Sequence, residues 1–498
     1  MILLDQFGRA TRLLRREAVR DPGASDFWGE RFFPRWLPIM LGLGLGSLAA
    51  VLIARGSWQL AAVLTLLVPL GLALIRYPFG VVLVWILILP IFNGLGSIGA
   101  LAWWLLHRSL IPIAIVLVIL NDWLGLRQRP SVRLGVAEWV LMVFSVVGLG
   151  SSALAPEVSS RLLMQFYDLL IVPIGLYVLV RLAAPNERDY RNLLWVALFV
   201  VAVQSTIGFL SWIAPGLLPS GWKNLVGARA TGTFNGPAVY TATLVFMACL
   251  LMHWASISRS RLRQLALICA VGLAFVAVFV SFSRGSWVGG LAVGLVLIFV
   301  YPRLLLAPLA VSLAVVLILA NSLFAAPLSF AWERLNTENT AASRIVGNVA
   351  SLQMIRERPA FGWGFGNYNL YDDRFKTRVL DIEVDEGSTS HNTYLSIMAE
   401  LGLVGFGLYM FTPVWWLALS ARVWKRLPRD GLMGRSLLIV LWLAMLDNFL
   451  VSNFMDMVRH EPLGTGLWWI ALGLIANYVY PRLPAEVSAR SPVYGATR

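Results

Sequence analysis

The sequence predicts an all-α, polytopic integral membrane protein of about fourteen transmembrane helices (12–14), with one long extracytoplasmic loop that contains short helices. Three observations carry that prediction. Hydrophobic residues make up 58% of the 498 residues and charged residues only 13%, about half the charge a soluble domain carries. Long apolar runs recur along the chain, and a helix needs about 20 such residues to cross the hydrocarbon core. Basic residues sit mostly between those runs, so the net charge of +14 reads as membrane topology and not as a nucleic-acid footprint. Two cysteines exclude a disulfide scaffold, a Cys-rich zinc module and an iron–sulfur protein, and four histidines leave little for a His-rich metal centre.

In order, the spans are 36–54, 58–75, 78–96, 109–124, 135–153, 163–180, 193–213, 236–256, 265–282, 286–302, 304–323, 393–418, 436–455 and 463–480. Residues 97–108 read as a short re-entrant or interfacial piece before the fourth. With the N-terminus in the cytoplasm, 26 basic residues fall inside and 14 outside, and seven of those 14 lie in one long loop. Short loops alternate as a fourteen-span chain requires, so both termini are expected in the cytoplasm. No removable signal peptide is expected. The organisation is therefore a basic tail (1–35), eleven helices (36–323), an extracytoplasmic loop domain (324–392), three helices (393–480) and a short tail (481–498).

The loop 324–392 has 69 residues, too long for a simple connector. Residues 342–358 predict an amphipathic helix with Ile345, Val349, Leu352 and Ile355 on one face, stopped by Pro359. Next comes Gly362-Trp363-Gly364-Phe365-Gly366-Asn367-Tyr368. Its rings could stack on sugars, or the segment could be a tight loop packed at the membrane surface. The acidic run Asp381, Glu383, Asp385 and Glu386 reads as solvated loop.

Three predicted spans that run from outside to inside begin with a cationic or ionisable residue. Arg229 precedes span 8, where Asn235 can act as N-cap and Pro237 fits the first turn. Ser283-Arg284-Gly285-Ser286 opens span 10, and Ser390-His391-Asn392-Thr393 opens span 12. A helix N-terminus already carries about half a positive charge and unpaired N–H groups. An arginine there opposes the dipole unless an anion lies between them. Guanidinium binds phosphate oxygens in a bidentate way, so a diphosphate fits. For any one arginine, snorkelling to the interface competes with this reading. His391 can take a proton from an alcohol at neutral pH, provided nearby arginines hold it neutral. Packing is the competing role for a lone interfacial histidine. Arg344, on the loop helix, could add a contact or be a solvated face. Asp168, Asp447, Asn448, Asn453, Asp456, Arg459, His460, Glu461 and Glu400 could relay protons, orient the arginines or simply bond helices together.

Arg229 with Gly232-Thr233-Phe234 and Pro237, Ser283-Arg284-Gly285, and the glycine pattern after Pro359 form one set with His391-Asn392-Thr393-Tyr394-Leu395 and Glu400-Leu401-Gly402-Leu403-Val404-Gly405. In these motifs the chain resembles the bacterial O-antigen ligase and polysaccharide polymerase family, over roughly residues 190–480. The resemblance implies a metal-independent glycosyltransferase of the bacterial cytoplasmic membrane, acting on its outer face without a cofactor. It implies a glycan donor on undecaprenyl diphosphate and an acceptor that is another glycan, lipid A core or a protein. Carried over by motif, Arg229, Arg284 and Arg344 bind the diphosphate, His391 activates the acceptor hydroxyl, and Ser283, Asn392 and Glu400 support them. A lipid-linked glycan flippase or other transporter is the alternative. The absence of a sequence repeat and the placing of the cations at helix ends speak against it.

Overall fold

The computed structural model describes residues 37–56, 77–92, 94–123, 134–153, 160–222, 229–319, 325–336, 339–376 and 390–482, with the single positions 61 and 322. It divides into two units, 1–76 and 77–498. In the first, α1 (Leu37–Ala54) forms as the first apolar run predicts, and the predicted span 58–75 lies outside the described residues apart from Ala61.

The second unit is helical among the described residues. Its apolar helices are α2 (Phe79–Phe92), α3 (Gly96–Trp123), α4 (Val136–Ala153), α5 (Leu162–Ala183), α6 (Glu187–Ile213), α7 (Pro237–Ile257), α8 (Arg261–Phe279), α9 (Arg284–Val300) and α10 (Pro302–Leu319). After the loop come α13 (Thr393–Val423), α14 (Arg435–Val451) and α15 (Pro462–Val479). Nine described helices are long and apolar enough to span a membrane, with α2 and α9 shorter. The fold is all-α and polytopic, and apart from α3, which starts well before its predicted span, each run from 78 onward is a helix close to its predicted limits.

Helix α7 is apolar on every face, and such a helix belongs in the interior. It packs against α6, α8 and α14, and the whole of its most apolar stretch is buried. Helix α15 is nearly as enclosed, against α5 and α14. Helix α10 buries none of its residues within the chain. Far from the arginine-bearing helix ends, Arg181 donates to Glu138 at 2.8 Å and to Asn477 at 2.9 Å, fully buried. One charge counted for topology is thus also a helix–helix lock.

Three expectations are corrected. Residues 97–108 are not a separate interfacial piece, because α3 runs unbroken through a π-helical stretch, Trp103–Ser109. That stretch faces a second one, Tyr167–Ile171, and Arg108 clamps Asp168 across them at 2.7 and 2.5 Å. Asp168 is therefore a helix–helix bond. The cap of α7 is Gly236 without a side-chain bond, not Asn235, while Pro237 does occupy the first turn.

The third correction concerns the loop. It forms α11 (Ala325–Asn336) and α12 (Asn339–Glu357). On α12 the buried face is Val346, Ala350, Ser351 and Met354, whereas Ile345 and Leu352 are exposed. Of the predicted stripe, Val349 and Ile355 are partly buried, with Ile355 against the core cluster, so the buried face is offset from the stripe and overlaps it only in part. The acidic run 381–386 lies outside the described residues.

Candidate active site

The site is built at the end of the bundle where α7, α9, α13 and α15 all begin. Segment 452–461 draws these starts together. Thr393 donates its N–H to the Ser452 carbonyl at 2.9 Å, and its hydroxyl accepts from Met457 N–H at 2.8 Å. Gly285 admits Phe454 where a Cβ would collide with it, and Gly236 does the same for the Glu461 carboxylate.

Arg284 is the first residue of α9. Before it, Phe282 is buried in left-handed backbone (φ 47). After it, Ser286 donates to Ser283 at 3.0 Å and accepts from Thr241 at 2.6 Å, which ties the turn to α7. Ser283 therefore fixes the turn that presents Arg284.

Arg229 reaches the same place by a different route. Ala230 N–H donates to the Val280 carbonyl at 3.1 Å, so residues 229–230 lie along the end of α8. The next residues are held to α6, where Gln204 accepts from Thr233 N–H at 3.0 Å and donates to its hydroxyl at 2.8 Å. Gly232 (φ 57) sits where a Cβ would strike both Gln204 and Tyr240.

Arg344 is carried by α12, which a cluster of Ala350, Met354, Trp363, Tyr368, Phe375 and Ala399 fixes to α13. A Ser351–Tyr368 hydroxyl bond of 2.7 Å adds to it. The guanidiniums of Arg229, Arg284 and Arg344 act on one another. Burial, then Arg334, Arg344 and Arg284, depress Arg229, and burial, then Arg284 and Arg334, depress Arg344. Like charges gathered this closely favour an anionic ligand.

His391 stands just before α13 in left-handed backbone (φ 49), a region histidine adopts more readily than most residues. Asn392 caps the helix by accepting Tyr394 and Leu395 N–H at 3.0 and 3.1 Å. The imidazole is partly buried, and its Nδ1 is buried with no hydrogen-bond partner among the described residues. Burial, Arg344 and His460 hold its pKa below the usual value, with Asp456 opposing them. A neutral imidazole beside a cationic cluster has the protonation state a general base needs.

Glu400 is buried and organises the loop. It accepts Gly366 and Tyr368 N–H at 2.9 and 3.0 Å and pairs with Arg459. Arg459 also donates to Asn369 at 3.1 Å and lies over the Tyr368 ring. Asp456 lies 3.5 Å from Arg459 as an ion pair without hydrogen-bond geometry, and it caps the turn Met457–His460.

Helix α13 is not continuous as the sequence suggests. At Gly402 (φ 68) the helix breaks, and the glycine-rich loop enters the gap. Helical geometry would pair the 399 and 400 carbonyls with the 403 and 404 N–H groups. Instead Trp363 and Gly364 N–H donate to those carbonyls at 3.1 and 2.8 Å. Leu403 and Val404 N–H donate to Pro359 and Ala360 at 2.8 and 3.2 Å. All four backbone groups are satisfied, as a water-poor setting demands. A Cβ at Gly362 or Gly402 would collide with the partner backbone. Trp363 and Phe365 are 3% and 1% exposed. Those rings form the seam of the loop and are not open for stacking on sugars.

The motif-bearing segments thus converge, with the 359–366 turn stitched directly into α13. Residues 269–410 match the O-antigen ligase family model. The match spans Ser283-Arg284-Gly285, the loop helices, the helix break and His391 through Glu400. It supports a role for this membrane protein in ligating or polymerising glycans. Arg229 lies outside the match and joins the matched segment through the Ala230–Val280 bond. No curated protein matches the chain.

Sequence reasoning brought out Arg229, Arg284, Arg344 and His391. It gave Arg459 and His460 no definite role and passed over Arg334. The α11 sequence does carry a signal for it, an aromatic residue and a cation at the i, i+4 spacing of one helix face.

Proposed function

We propose that the protein transfers or polymerises glycan from an undecaprenyl-diphosphate-linked donor on the outer face of the bacterial cytoplasmic membrane. The observation that carries the proposal is one neutral histidine set beside a cluster of arginines, with His391, Arg284 and Arg344 inside the segment that matches the O-antigen ligase family and Arg229 joined to it. Arg229, Arg284 and Arg344 hold the diphosphate. An acceptor hydroxyl attacks the anomeric carbon, a new C–O bond forms, and the bond from that carbon to the diphosphate oxygen breaks. The electron pair leaves on the undecaprenyl diphosphate, and the hydroxyl proton passes to His391. Negative charge grows on the leaving oxygen, where fixed guanidiniums stabilise it without reorganising. Acceptors of this chemistry are a glycan chain, lipid A core or a hydroxyl-bearing protein side chain.

Two experiments test the proposal. Purified protein reconstituted with lipid-linked oligosaccharide and acceptor should release undecaprenyl diphosphate in step with the new glycosidic bond. Translocation of intact lipid-linked glycan without release would identify a flippase instead. For sidedness, Ile345→Cys should be labelled by an impermeant reagent from outside, and Lys425→Cys only after permeabilisation. Labelling of Ile345→Cys from the cytoplasm alone would place the site on the wrong face.

A further inference from the structure

Helix α11 supplies none of the residues assigned above, yet its packing aims one residue at the anion site. Phe330 meets Phe282 edge to face, with ring centroids 4.6 Å apart. Phe282 is buried in its left-handed turn two residues before Arg284, so α11 is anchored to the residues that present Arg284. Arg334 follows Phe330 by four residues and lies on the same helix face.

The surroundings of Arg334 are unusual for a loop arginine. It is partly buried, and its Nε is buried with no hydrogen-bond partner among the described residues. The charges it shares space with are Arg284, Arg229 and Arg344, with Glu333 beside it on α11. Holding a long side chain in one place costs rotamer entropy, and the neighbouring like charges add repulsion that Glu333 offsets only in part. An anion with several acceptor oxygens reverses that balance, because each guanidinium gains charge-assisted hydrogen bonds. A diphosphate offers oxygens on two phosphorus centres, enough to engage arginines arriving from separate elements.

We propose that Arg334 is a fourth ligand of the lipid diphosphate, positioned by the Phe330–Phe282 contact, and that it favours a diphosphate over a monophosphate. The inference rests on the reading of the site as a lipid-diphosphate site.

The test uses the full chain in phosphatidylcholine nanodiscs, with undecaprenyl diphosphate and undecaprenyl monophosphate as probes. Loss of one charge-assisted contact should weaken diphosphate binding in Arg334→Gln by roughly 10- to 100-fold. Monophosphate binding should change by less than about threefold, the scale of a bond that is not formed. Arg334→Lys should recover part of the loss, since an ammonium supplies charge but not the fork. It also keeps the test open if the glutamine variant does not fold. Phe330→Ala should weaken diphosphate binding in the same direction with Arg334 intact. Arg374→Gln, an exposed arginine paired with Glu357 at 3.7 Å, serves as the control and should bind as the parent does. If Arg334→Gln and Phe330→Ala bind diphosphate normally while Arg284→Ala does not, Arg334 is a solvated cation and the inference is wrong. If the parent protein itself shows no preference for diphosphate over monophosphate, the underlying reading of the site fails instead.

Discussion

Two groups of arginines stand within the same end of the bundle, and their surroundings push them in opposite directions. Arg459 is drawn toward carboxylates: burial works against its charge, and Glu400 and Asp456 more than restore it, raising its pKa. Arg229, Arg334 and Arg344 are depressed by burial and by other guanidiniums. The first arrangement is complete within the chain and fixes loop to helix. The second is dominated by like charge, with Glu333 opposing it only in part at Arg334, the setting that the proposed anionic ligand would relieve. The comparison separates an arginine that holds the fold from the arginines proposed to hold a substrate, which residue type alone does not do.

The largest expected effect falls on the histidine between the two groups. His391→Ala should lower turnover by about 100- to 10,000-fold, the usual contribution of a general base, with donor binding nearly intact. Because the folded pKa lies below about 6.5, the base stays neutral at pH 7. Activity should fall only as pH drops through that lowered value, and the acid limb should vanish from the mutant's residual rate. A bound diphosphate opposes the arginines, so the limb should lie higher in the donor complex than in the free enzyme. A pH–rate profile of kcat and kcat/KM reads both.

Breaking the paired group should cost stability first. Glu400→Ala leaves Arg459 buried against one carboxylate and orphans the Gly366 and Tyr368 N–H groups. Removing one partner of a buried pair typically costs about 3–5 kcal/mol. Thermal unfolding and expression level should therefore drop together, and Glu400→Gln, which still accepts the two N–H bonds, should lose less. Equal stability in Glu400→Ala would mean that the network does not hold the loop.

Breaking the like-charged group should spare the fold. Arg284→Ala should weaken donor binding by about 2–4 kcal/mol without lowering the unfolding temperature, and Arg284→Lys should recover part of it. A fall in stability like that of Glu400→Ala would erase the distinction between the groups.

The smallest effect sharpens the picture at Glu461. Burial beside the start of α7 raises its pKa from 4.5 to about 8. The folded state holds this proton between those values and the unfolded state does not, so stability should decline as pH rises from about 4.5 to about 8. Glu461→Gln should remove that decline and unfold at a higher temperature than the parent at pH 8, with little difference at pH 4. An unchanged pH dependence in the mutant would show the carboxyl to be ionised and solvated.

The spans were legible because a membrane helix is written in consecutive residues, and α4 to α10 follow their apolar runs closely. The cations were legible because they stand beside helix starts, where local chemistry exposes the conflict with the dipole. The stitch at Gly402 was not, because its bonds join residues 359–364 to 399–404, some forty positions apart. Glycines at 362 and 402 announced backbone freedom without naming a partner. The same limit hid the glycine-rich rings, whose burial depends on α12 and α13 meeting. The face of α12 was legible only in part, because Ala350 and Ser351 line its buried side while Ile345 and Leu352 point outward. Arg334 escaped because contacts far apart in sequence, such as Phe330–Phe282, turn its helix toward the site.

The central claim is a division of labour, in which the arginines bind the diphosphate and His391 moves the proton. Its most direct test measures donor binding and single-turnover release of undecaprenyl diphosphate on the same preparations of parent, Arg284→Ala and His391→Ala protein in proteoliposomes. The account predicts that Arg284→Ala loses binding and that His391→Ala binds donor normally but fails to release undecaprenyl diphosphate to acceptor. Normal release by His391→Ala, or loss of donor binding as severe as in Arg284→Ala, would contradict it.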